Sequence, residues 1–519
     1  MSRTFLRAVP VLLLLSGAWP AQPAAVSRHL FFRVVLGPEV SKPVSGRLLL
    51  FLSKGTGAKI VDAGEGRPGD TYVAAREVES VSAGDSVEID TDDVAFPNGF
   101  SILAPGDYQA QAVLDVHHSY AYSGRSPGDL MSPVVPLPHF SPGVSSEPII
   151  PLNTTLQEAN DAQEAAGAGH IERFHSPLLS RFWGRPITMR AVVLLPPGYD
   201  AHPRRHYPAV YYTHGFGGTL SSLQRTAARL LARMQNRQMP EMIWILLDES
   251  SPTGTHEFAD SVNNGPWGQA LVSEFIPHLE AAYRLDARAG ARFLNGHSSG
   301  GWATLWLQVN YPKVFGGTWS TSPDPSNFHD FSGIDLYASH VNMYRTAEGK
   351  ERPIMRMHGQ VTGTWATLTR LEGVLGSYGG QVASFEWVFS PRGPDGRPMP
   401  LFNRITGEVD PVVANAWTNF DISRIVAANW KRLGPDLRGK IHLIVGTEDT
   451  FYLDGPARKF QAVLKSLDAN PHFTFLEGRS HFDVYKTGND PQGLFDTISQ
   501  EMYQSWRSTT ARTEKSPAN

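Results

Sequence analysis

The pattern of hydrophobic and polar residues changes after about residue 170 of this 519-residue chain. Before that point, short apolar or alternating runs are separated by turns rich in Gly and Pro, and such runs begin at Leu30, Arg47, Ser86 and Tyr108. Short strands between such turns are typical of a two-sheet β-sandwich. We therefore predict an N-terminal, immunoglobulin-like β-sandwich domain over residues 27–131.

Strand-like and helix-like runs alternate over residues 171–506. The strand-like runs are β-branched or aromatic and lie at 188–195, 209–213, 242–247, 293–294, 441–445 and 472–476. The helical runs have a period near 3.6 and lie at 220–238, 270–284, 302–307, 456–467 and 493–506. This alternation predicts an α/β domain, with a parallel sheet covered by helices on both faces.

The remaining segments have weaker patterns. Recurring prolines predict an extended linker, or a last edge strand, within residues 132–170, and the Ala-rich residues 154–168 suggest one helix. Residues 320–437 have poor periodicity and form a long insertion, which is either a cap over a site or surface decoration. The polar residues 507–519 are expected to be a disordered tail.

Residues 1–25 have the features of an export signal. Arg3 and Arg7 precede the short apolar run 9–15, and the small residues Ala21, Ala24 and Ala25 follow. No later apolar run is long enough to span a bilayer. We therefore expect a secreted or periplasmic protein without a transmembrane segment.

Composition excludes several function classes. The chain is 41% hydrophobic and 18% charged, as in ordinary globular proteins, and its net charge of −4 without a basic stripe argues against nucleic-acid partners. The absence of cysteine excludes disulfides, thiolate metal sites and catalytic thiols. No metal-ligand spacing such as H-E-x-x-H occurs, so we expect neither a metal nor another cofactor.

The pentapeptide Gly296–Gly300 is a G-x-S-x-G motif centred on Ser298. A strand-like run precedes it and a helix-like run follows, which is the setting of a nucleophile elbow. In such a turn the serine adopts a strained backbone conformation, and the flanking glycines avoid collisions. The pattern predicts a serine nucleophile at Ser298.

A serine hydroxyl needs a base to remove its proton and an acid to orient that base. Asp449 follows the predicted strand 441–445, with Glu448 and Asp454 as rivals, and His481 follows the strand 472–476. The chain order serine, acid, histidine is that of the α/β-hydrolases. We predict a triad of Ser298, Asp449 and His481.

Two further groups of residues are candidates for the site. The segment 214–218, His-Gly-Phe-Gly-Gly, has the composition of an oxyanion loop, so the backbone N–H groups of Phe216 and Ser299 are the expected donors. The loop 257–267 follows a strand, and its Asp260, Asn263 and Trp267 are either ligands for a polar or sugar-like substrate or parts of the loop's own structure.

Together these motifs resemble the putative esterase family (esterase D and enterochelin esterase-like) of the α/β-hydrolases. The resemblance covers about residues 171–506 and includes two further stretches, 195–200 and 446–455. It implies an α/β-hydrolase fold and again points to Ser298, Asp449 and His481. The family includes siderophore, feruloyl and acetyl-xylan esterases, S-formylglutathione hydrolases and mycolyltransferases.

The resulting hypothesis is an exported serine carboxylester hydrolase acting through an acyl-enzyme. Its expected substrate is a small-molecule or glycan-linked polar ester, such as a carbohydrate or siderophore ester. One alternative is an acyltransferase with the same triad, which differs only in the access of water. Another is a non-catalytic carbohydrate-binding protein with a degenerate hydrolase domain.

Overall fold

The computed structural model describes residues 29–64, 68–118, 126–157, 167–376 and 380–514. The predicted export signal, residues 1–25, lies outside the described residues. So do residues 158–166, which include most of the helix suggested near 154–168, and the last five residues of the predicted tail.

Ten strands lie in the described residues between 29 and 157. They are β1 Phe31–Leu36, β2 Val44–Lys54, β3 Thr71–Val81, β4 Ser86–Asp90, β5 Ala95–Phe96, β6 Gly106–Asp115, β7 Leu130–Met131, β8 Val135–Phe140, β9 Ile149–Leu152 and β10 Thr154–Thr155. One sheet has the order β4-β1-β9, and the other has the order β10-β7-β6-β2-β3-β5, with β8 also paired to β6. Both sheets contribute to one apolar cluster, which contains Phe32, Leu50 and Ile150. We refer to this unit as the N-terminal sheet pair; its immunoglobulin-like character stays a prediction.

The proline-rich segment is not a linker between residues 135 and 155. Strand β8 pairs with β6 along one side, β9 pairs in parallel with β1, and β10 pairs with β7. Proline lacks an N–H donor and is therefore tolerated where a strand has no second neighbour, as at Pro136 and Pro138 of β8. The edge-strand interpretation describes β8, and the linker interpretation is wrong for these strands.

A third sheet follows, with eight strands. They are β11 His170–His175, β12 Thr188–Leu194, β13 Ala209–Thr213, β14 Ile243–Leu247, β19 Arg292–His297, β20 Gly317–Thr321, β23 Ile441–Gly446 and β24 His472–Leu476. Short hairpins account for the intervening strands β15 Ser250–Ser251, β16 Gly254–Thr255, β17 Asp260–Ser261, β18 Gly265–Pro266, β21 Pro353–Met357 and β22 Gln360–Thr364. The order is β11-β12-β14-β13-β19-β20-β23-β24, and β12 runs against both neighbours while the strands from β14 to β24 are parallel. This topology confirms the predicted α/β-hydrolase fold.

Helices connect these strands. They are α1 Pro177–Trp183, α2 Leu220–Gln235, α3 Trp267–Ala270, α4 Ile276–Ala282, α5 Ser299–Asn310, α6 Trp365–Leu375, α7 Gln381–Phe389, α8 Pro411–Trp417, α9 Ile422–Leu437, α10 Asp454–Ser466 and α11 Gly493–Glu514. A π-helical turn, Leu271–Phe275, joins α3 to α4. Among the described residues, none of these helices combines the length and the apolar character needed to cross a membrane.

Helix α11 corrects the prediction of a tail after residue 506. The helix continues to Glu514, and Arg288 donates to the Thr510 hydroxyl near its end.

The insertion lies between β20 and β23, and it packs against the N-terminal sheet pair. In β2, Leu48 and Leu50 face the partner sheet, whereas Leu49 and Phe51 belong to a cluster that contains Trp365 of α6. This explains why β2 is a continuous apolar run: both of its faces are buried.

Candidate active site

Ser298 occupies the turn between β19 and α5. Its backbone has φ 59° and ψ −125°, a strained conformation for a residue with a side chain. The Ser298 N–H donates to the Thr321 carbonyl, and its own carbonyl accepts from the N–H of Trp302. These bonds hold the turn between strand and helix, with the serine at the first turn of α5.

The flanking glycines are required by close backbone approaches. A Cβ at Gly296 would lie 2.2 Å from the Gly300 carbonyl oxygen, and a Cβ at Gly300 would lie 2.2 Å from the His214 carbonyl oxygen. Neither contact leaves room for a methyl group, so the G-x-S-x-G spacing follows from packing at this turn.

His481 and Asp449 form a buried pair. His481 Nδ1 lies 2.9 Å from Asp449 Oδ2, and the two side chains are 4% and 0% exposed. The other carboxylate oxygen of Asp449 accepts from the N–H of Phe451 at 2.9 Å. Burial opposes ionisation of Asp449, but His481 and these donors outweigh it and lower the pKa of the carboxyl group.

The rivals of Asp449 lie elsewhere. Asp454 pairs with Arg356 at 2.9 Å, and Glu448 is 43% exposed with its carboxylate 4.0 Å from the same guanidinium. The structure therefore brings Asp449, and neither rival, to the histidine.

Arg356 was not identified from the sequence. It lies on β21 of the insertion, and its guanidinium donates to the carbonyls of Asp449 at 2.9 Å and Thr447 at 3.1 Å. It also lies over the ring of Tyr452. The arginine therefore fixes the loop that carries Asp449, across a sequence separation that no local pattern reveals.

Ser298 and His481 line one cavity of about 310 Å³. The other lining residues are uncharged or are histidines, and they come from the oxyanion-loop segment, α2, the insertion and the loops beside His481: Tyr212, His214, Gly215, Phe216, Gly217, Gly218, Ser222, Leu223, Thr226, His297, Met355, Gln381, Phe451 and Phe482. The insertion thus supplies part of the wall, through Met355 and Gln381. Phe482 is 54% exposed and stands at the edge of the cavity.

The candidate oxyanion residues lie beside Ser298. Phe216 lines the cavity, and Ser299 begins α5, with its hydroxyl donating to Asp324 Oδ2 at 2.6 Å. His214 Nδ1 lies 2.7 Å from the Gly215 carbonyl, and its Nε2 lies 3.3 Å from Asp248. These contacts hold the loop 214–218 in place, so His214 has a structural role at the cavity wall.

The three candidate substrate ligands do not reach this cavity. Asp260 accepts from the Gln269 N–H and the Tyr311 hydroxyl, and the fully buried Asn263 donates to the Ser390 carbonyl at 2.8 Å. The Trp267 ring stacks on His256 with centroids 3.6 Å apart. The binding interpretation is therefore corrected: these side chains maintain the loop and its contact with the insertion.

Three buried carboxyl groups near the elbow were also missed by sequence reasoning. Glu249, Glu257 and Asp324 are at most 4% exposed, and both carboxyl oxygens of each glutamate lack a hydrogen-bond partner. Burial and the neighbouring carboxyl groups raise the pKa of Glu249 to about 8 and that of Asp324 to about 6. The same causes raise the pKa of Glu257. In the part of the chain that the structure describes, no group of three or more His, Cys, Asp or Glu side chains has the arrangement of a metal site.

Comparison with known proteins places this chain in a family. Residues 184–509 match the family described as "Putative esterase", and the chain belongs to that family. The class of protein that the fold and the family match define is therefore that of the esterases described by this family.

Individual relatives are distant. The chain is 29% identical over 145 residues to the uncharacterized protein YbbA of Bacillus subtilis (strain 168), which covers 26% of this chain. The chain spans 56% of the length of that curated relative.

Two of the solved structures that are similar to this chain are both distant in sequence. A ferulic acid esterase is 13% identical to this chain with a TM-score of 0.41, and the match covers 65% of this chain and 97% of the esterase chain. An S-formylglutathione hydrolase from Agrobacterium tumefaciens is 12% identical to this chain with a TM-score of 0.39, and the match covers 65% of this chain and 94% of the hydrolase chain.

Proposed function

We propose that Ser298, His481 and Asp449 form the catalytic triad of this esterase. His481 takes the proton of the Ser298 hydroxyl as the oxygen bonds to the ester carbonyl carbon, and then gives that proton to the departing alcohol. Water attacks the resulting acyl-enzyme, again with His481 as base, and releases the acid and the free serine. The observation that carries this proposal is the buried 2.9 Å contact between His481 Nδ1 and Asp449.

That contact determines which nitrogen of His481 works on the serine. Because Nδ1 is occupied by Asp449, Nε2 is the atom left to exchange protons with Ser298. The lowered pKa of Asp449 keeps the carboxylate ionised at neutral pH, so it stabilises the positively charged histidine formed during each step.

The negative oxygen of the tetrahedral intermediate is assigned to the backbone N–H groups of Phe216 and Ser299. Ser299 starts α5, so the positive end of the helix dipole adds to its donor. Loss of one such donor costs about 3 kcal/mol of transition-state stabilisation in serine hydrolases.

The substrate is proposed to place an uncharged part in the cavity. No Lys, Arg, Asp or Glu side chain is among the described residues that line it, and Phe216, Phe451 and Phe482 provide apolar surface. A buried charge without a partner would be costly there. A polar, carbohydrate or siderophore portion of the ester would therefore lie outside the cavity, beyond the exposed ring of Phe482.

A fluorophosphonate probe tests the triad directly. We expect the wild-type protein to be labelled and to hydrolyse a panel of neutral acetyl, feruloyl and longer acyl esters, whereas Ser298→Ala does neither. The exposed residue Ser221 provides a matched control, and Ser221→Ala should behave as wild type. Labelling of Ser298→Ala, or a folded wild-type protein that is never labelled, would contradict the proposal.

Export is proposed on the basis of residues 1–25, where two arginines, an apolar run and small residues follow one another. Expression of the whole chain in a bacterial host should yield a periplasmic or secreted form that lacks this segment. Recovery of the intact N terminus from the cytoplasm alone would reject export.

A further inference from the structure

We propose that the N-terminal sheet pair is a positioning element of the active site, which holds Gln381 of the insertion in the cavity wall. This inference rests on the proposed catalytic role of the Ser298 cavity. It is carried by a continuous series of contacts that starts at Arg47 of β2 and ends at Gln381.

The series ends at the first residue of α7. Gln381 lines the catalytic cavity together with Ser298 and His481, and its side-chain amide lies close enough to the Asp324 carboxyl group to help lower the pKa of that group. Asp324 also accepts from the Ser299 hydroxyl, next to the nucleophile. Gln381 is thus the hydrogen-bonding group that the insertion contributes to an otherwise largely apolar part of the wall.

Helix α6 fixes the position of Gln381. The buried carboxylate of Glu372, on α6, accepts from the Gln381 N–H at 2.7 Å and from the Val382 N–H at 3.2 Å. A carboxylate at this place satisfies the free N–H groups at the start of α7 and interacts favourably with its dipole. Any displacement of α6 is therefore transmitted to the residue in the cavity wall.

The N-terminal sheet pair holds α6 at its C-terminal end. Arg47 Nε donates to the Val374 carbonyl at 2.9 Å, and Arg47 Nη2 donates to the Gly373 carbonyl at 3.1 Å. These carbonyls have no partner within the helix, so the arginine serves as a cap supplied by another domain. Glu77 of β3 accepts from the same guanidinium at 2.5 Å and orients it.

A second polar contact and a shared core strengthen the attachment. Arg370 of α6 donates to the Pro97 carbonyl at 2.8 Å. The apolar side chains between these two arginines, Leu49, Phe51, Val73, Phe96, Leu371 and Val374, belong to one buried cluster. A well-packed contact of this kind transmits displacement, because protein interiors have low compressibility.

The N-terminal sheet pair is therefore assigned a role in catalysis that needs no ligand of its own. It sets the position of Gln381, and hence the fit of the ester in the cavity. Arg47 and Glu372 are positioning residues in this scheme, whereas Gln381 contacts the substrate and determines specificity.

A double-mutant cycle in the full-length protein tests the scheme. Arg47→Met removes the guanidinium bonds but keeps most of the side-chain length, and Gln381→Ala removes the proposed target. We expect Arg47→Met to lower kcat/KM for neutral esters by about tenfold, mainly through KM, and to have less than about twofold effect in the Gln381→Ala background. Arg370→Met should give a smaller effect of the same kind, and it serves if Arg47→Met does not fold.

The control is Arg33→Met. Arg33 pairs with Glu88 and Glu147 inside the N-terminal sheet pair, and it takes no part in the series of contacts from Arg47 to Gln381. Kinetics of this variant should match wild type even if its melting temperature falls. Equal losses of kcat/KM with and without Gln381, or an equal loss in Arg33→Met, would overturn the inference. Fluorophosphonate labelling separates the two proposals: absence of labelling in the folded wild type rejects the triad, whereas labelled variants without the expected coupling reject the positioning role alone.

Discussion

Individual residues at the site are constrained by backbone geometry as much as by chemistry. The carboxylate of Asp449 accepts from His481 on one oxygen and from the N–H of Phe451 on the other, so its orientation is fixed before any substrate binds. Preorganisation of this kind avoids reorganisation at the moment of reaction. Asp449, which the order of residues along the chain predicted as the acid, is therefore also the carboxylate that contacts the histidine.

Replacement of Asp449 by Asn should separate its electrostatic role from its size. Asp449→Asn keeps the shape but presents a neutral amide to His481, which favours the wrong tautomer and no longer stabilises the charged histidine. We expect kcat to fall by about 10⁴-fold with KM little changed, as measured by steady-state ester hydrolysis. Glu448→Gln should leave kcat unchanged, and a comparable loss in that variant would show that the acid has been misassigned.

At the scale of elements, the hairpin of β21 and β22 connects the insertion to the loop that carries Asp449. Arg356 on β21 bonds the carbonyls of Thr447 and Asp449, and it pairs with Asp454 at the start of α10. Met355, the neighbouring residue, lines the cavity. One strand therefore contributes both to the wall of the cavity and to the support of the catalytic acid.

Removal of this support should slow catalysis without removing a reacting group. In Arg356→Met, the carbonyl of Asp449 and the carboxylate of Asp454 lose their partner, so we expect about 10- to 100-fold lower kcat and a loss of about 1–3 kcal/mol in the free energy of unfolding. Arg356→Lys should recover part of kcat. Arg345→Met, at an exposed ion pair of the same insertion, is the control, and indistinguishable kinetics for Arg356→Met and Arg345→Met would remove the supporting role.

At the scale of the whole molecule, the buried carboxyl groups below the elbow link stability to pH. The pKa of Glu249 is raised by burial to about 8, so the folded state holds a proton that the unfolded chain has already lost above its ordinary pKa of 4.5. The stabilising contribution is thus complete below about pH 4.5 and is lost as pH rises through 8. The pKa of His297 is lowered to about 3, which has the opposite effect on the pH dependence of stability. Wild type and any variant at Glu249 share this effect, so it cancels when the two are compared.

The comparison of wild type with Glu249→Gln isolates this effect. The amide is neutral at every pH, so the variant does not lose the stability that wild type loses as Glu249 ionises. From pH 5 to pH 8, the difference in the free energy of unfolding between variant and wild type should shift by about 3 kcal/mol in favour of the variant. Chemical denaturation at both pH values measures the difference. Glu477→Gln, at an exposed glutamate, should show no such trend, and a constant difference for Glu249→Gln would mean that Glu249 is ionised in the folded protein.

Sequence patterns were informative where the physical cause is local. The strand–helix alternation predicted an α/β domain with a parallel sheet, because periodicity records which face of each element is buried. The glycines around Ser298 were recognisable because the turn tolerates no Cβ at those positions. The order of Asp449 and His481 along the chain, each after its own strand, placed both at one edge of the sheet before any distance was known.

The tertiary structure alone decided the features that depend on contacts between distant parts of the chain. Arg356, Gln381 and Glu249 have no local pattern, and Asp260, Asn263 and Trp267 were misjudged because a loop's position after a strand does not reveal where its side chains are bonded. The attachment of the insertion to the N-terminal sheet pair was equally hidden, since an apolar run such as that of β2 records that both faces are buried but not what buries them. Local sequence therefore determined the elements and the order of the candidate catalytic residues, whereas packing determined the wall and the supports around them.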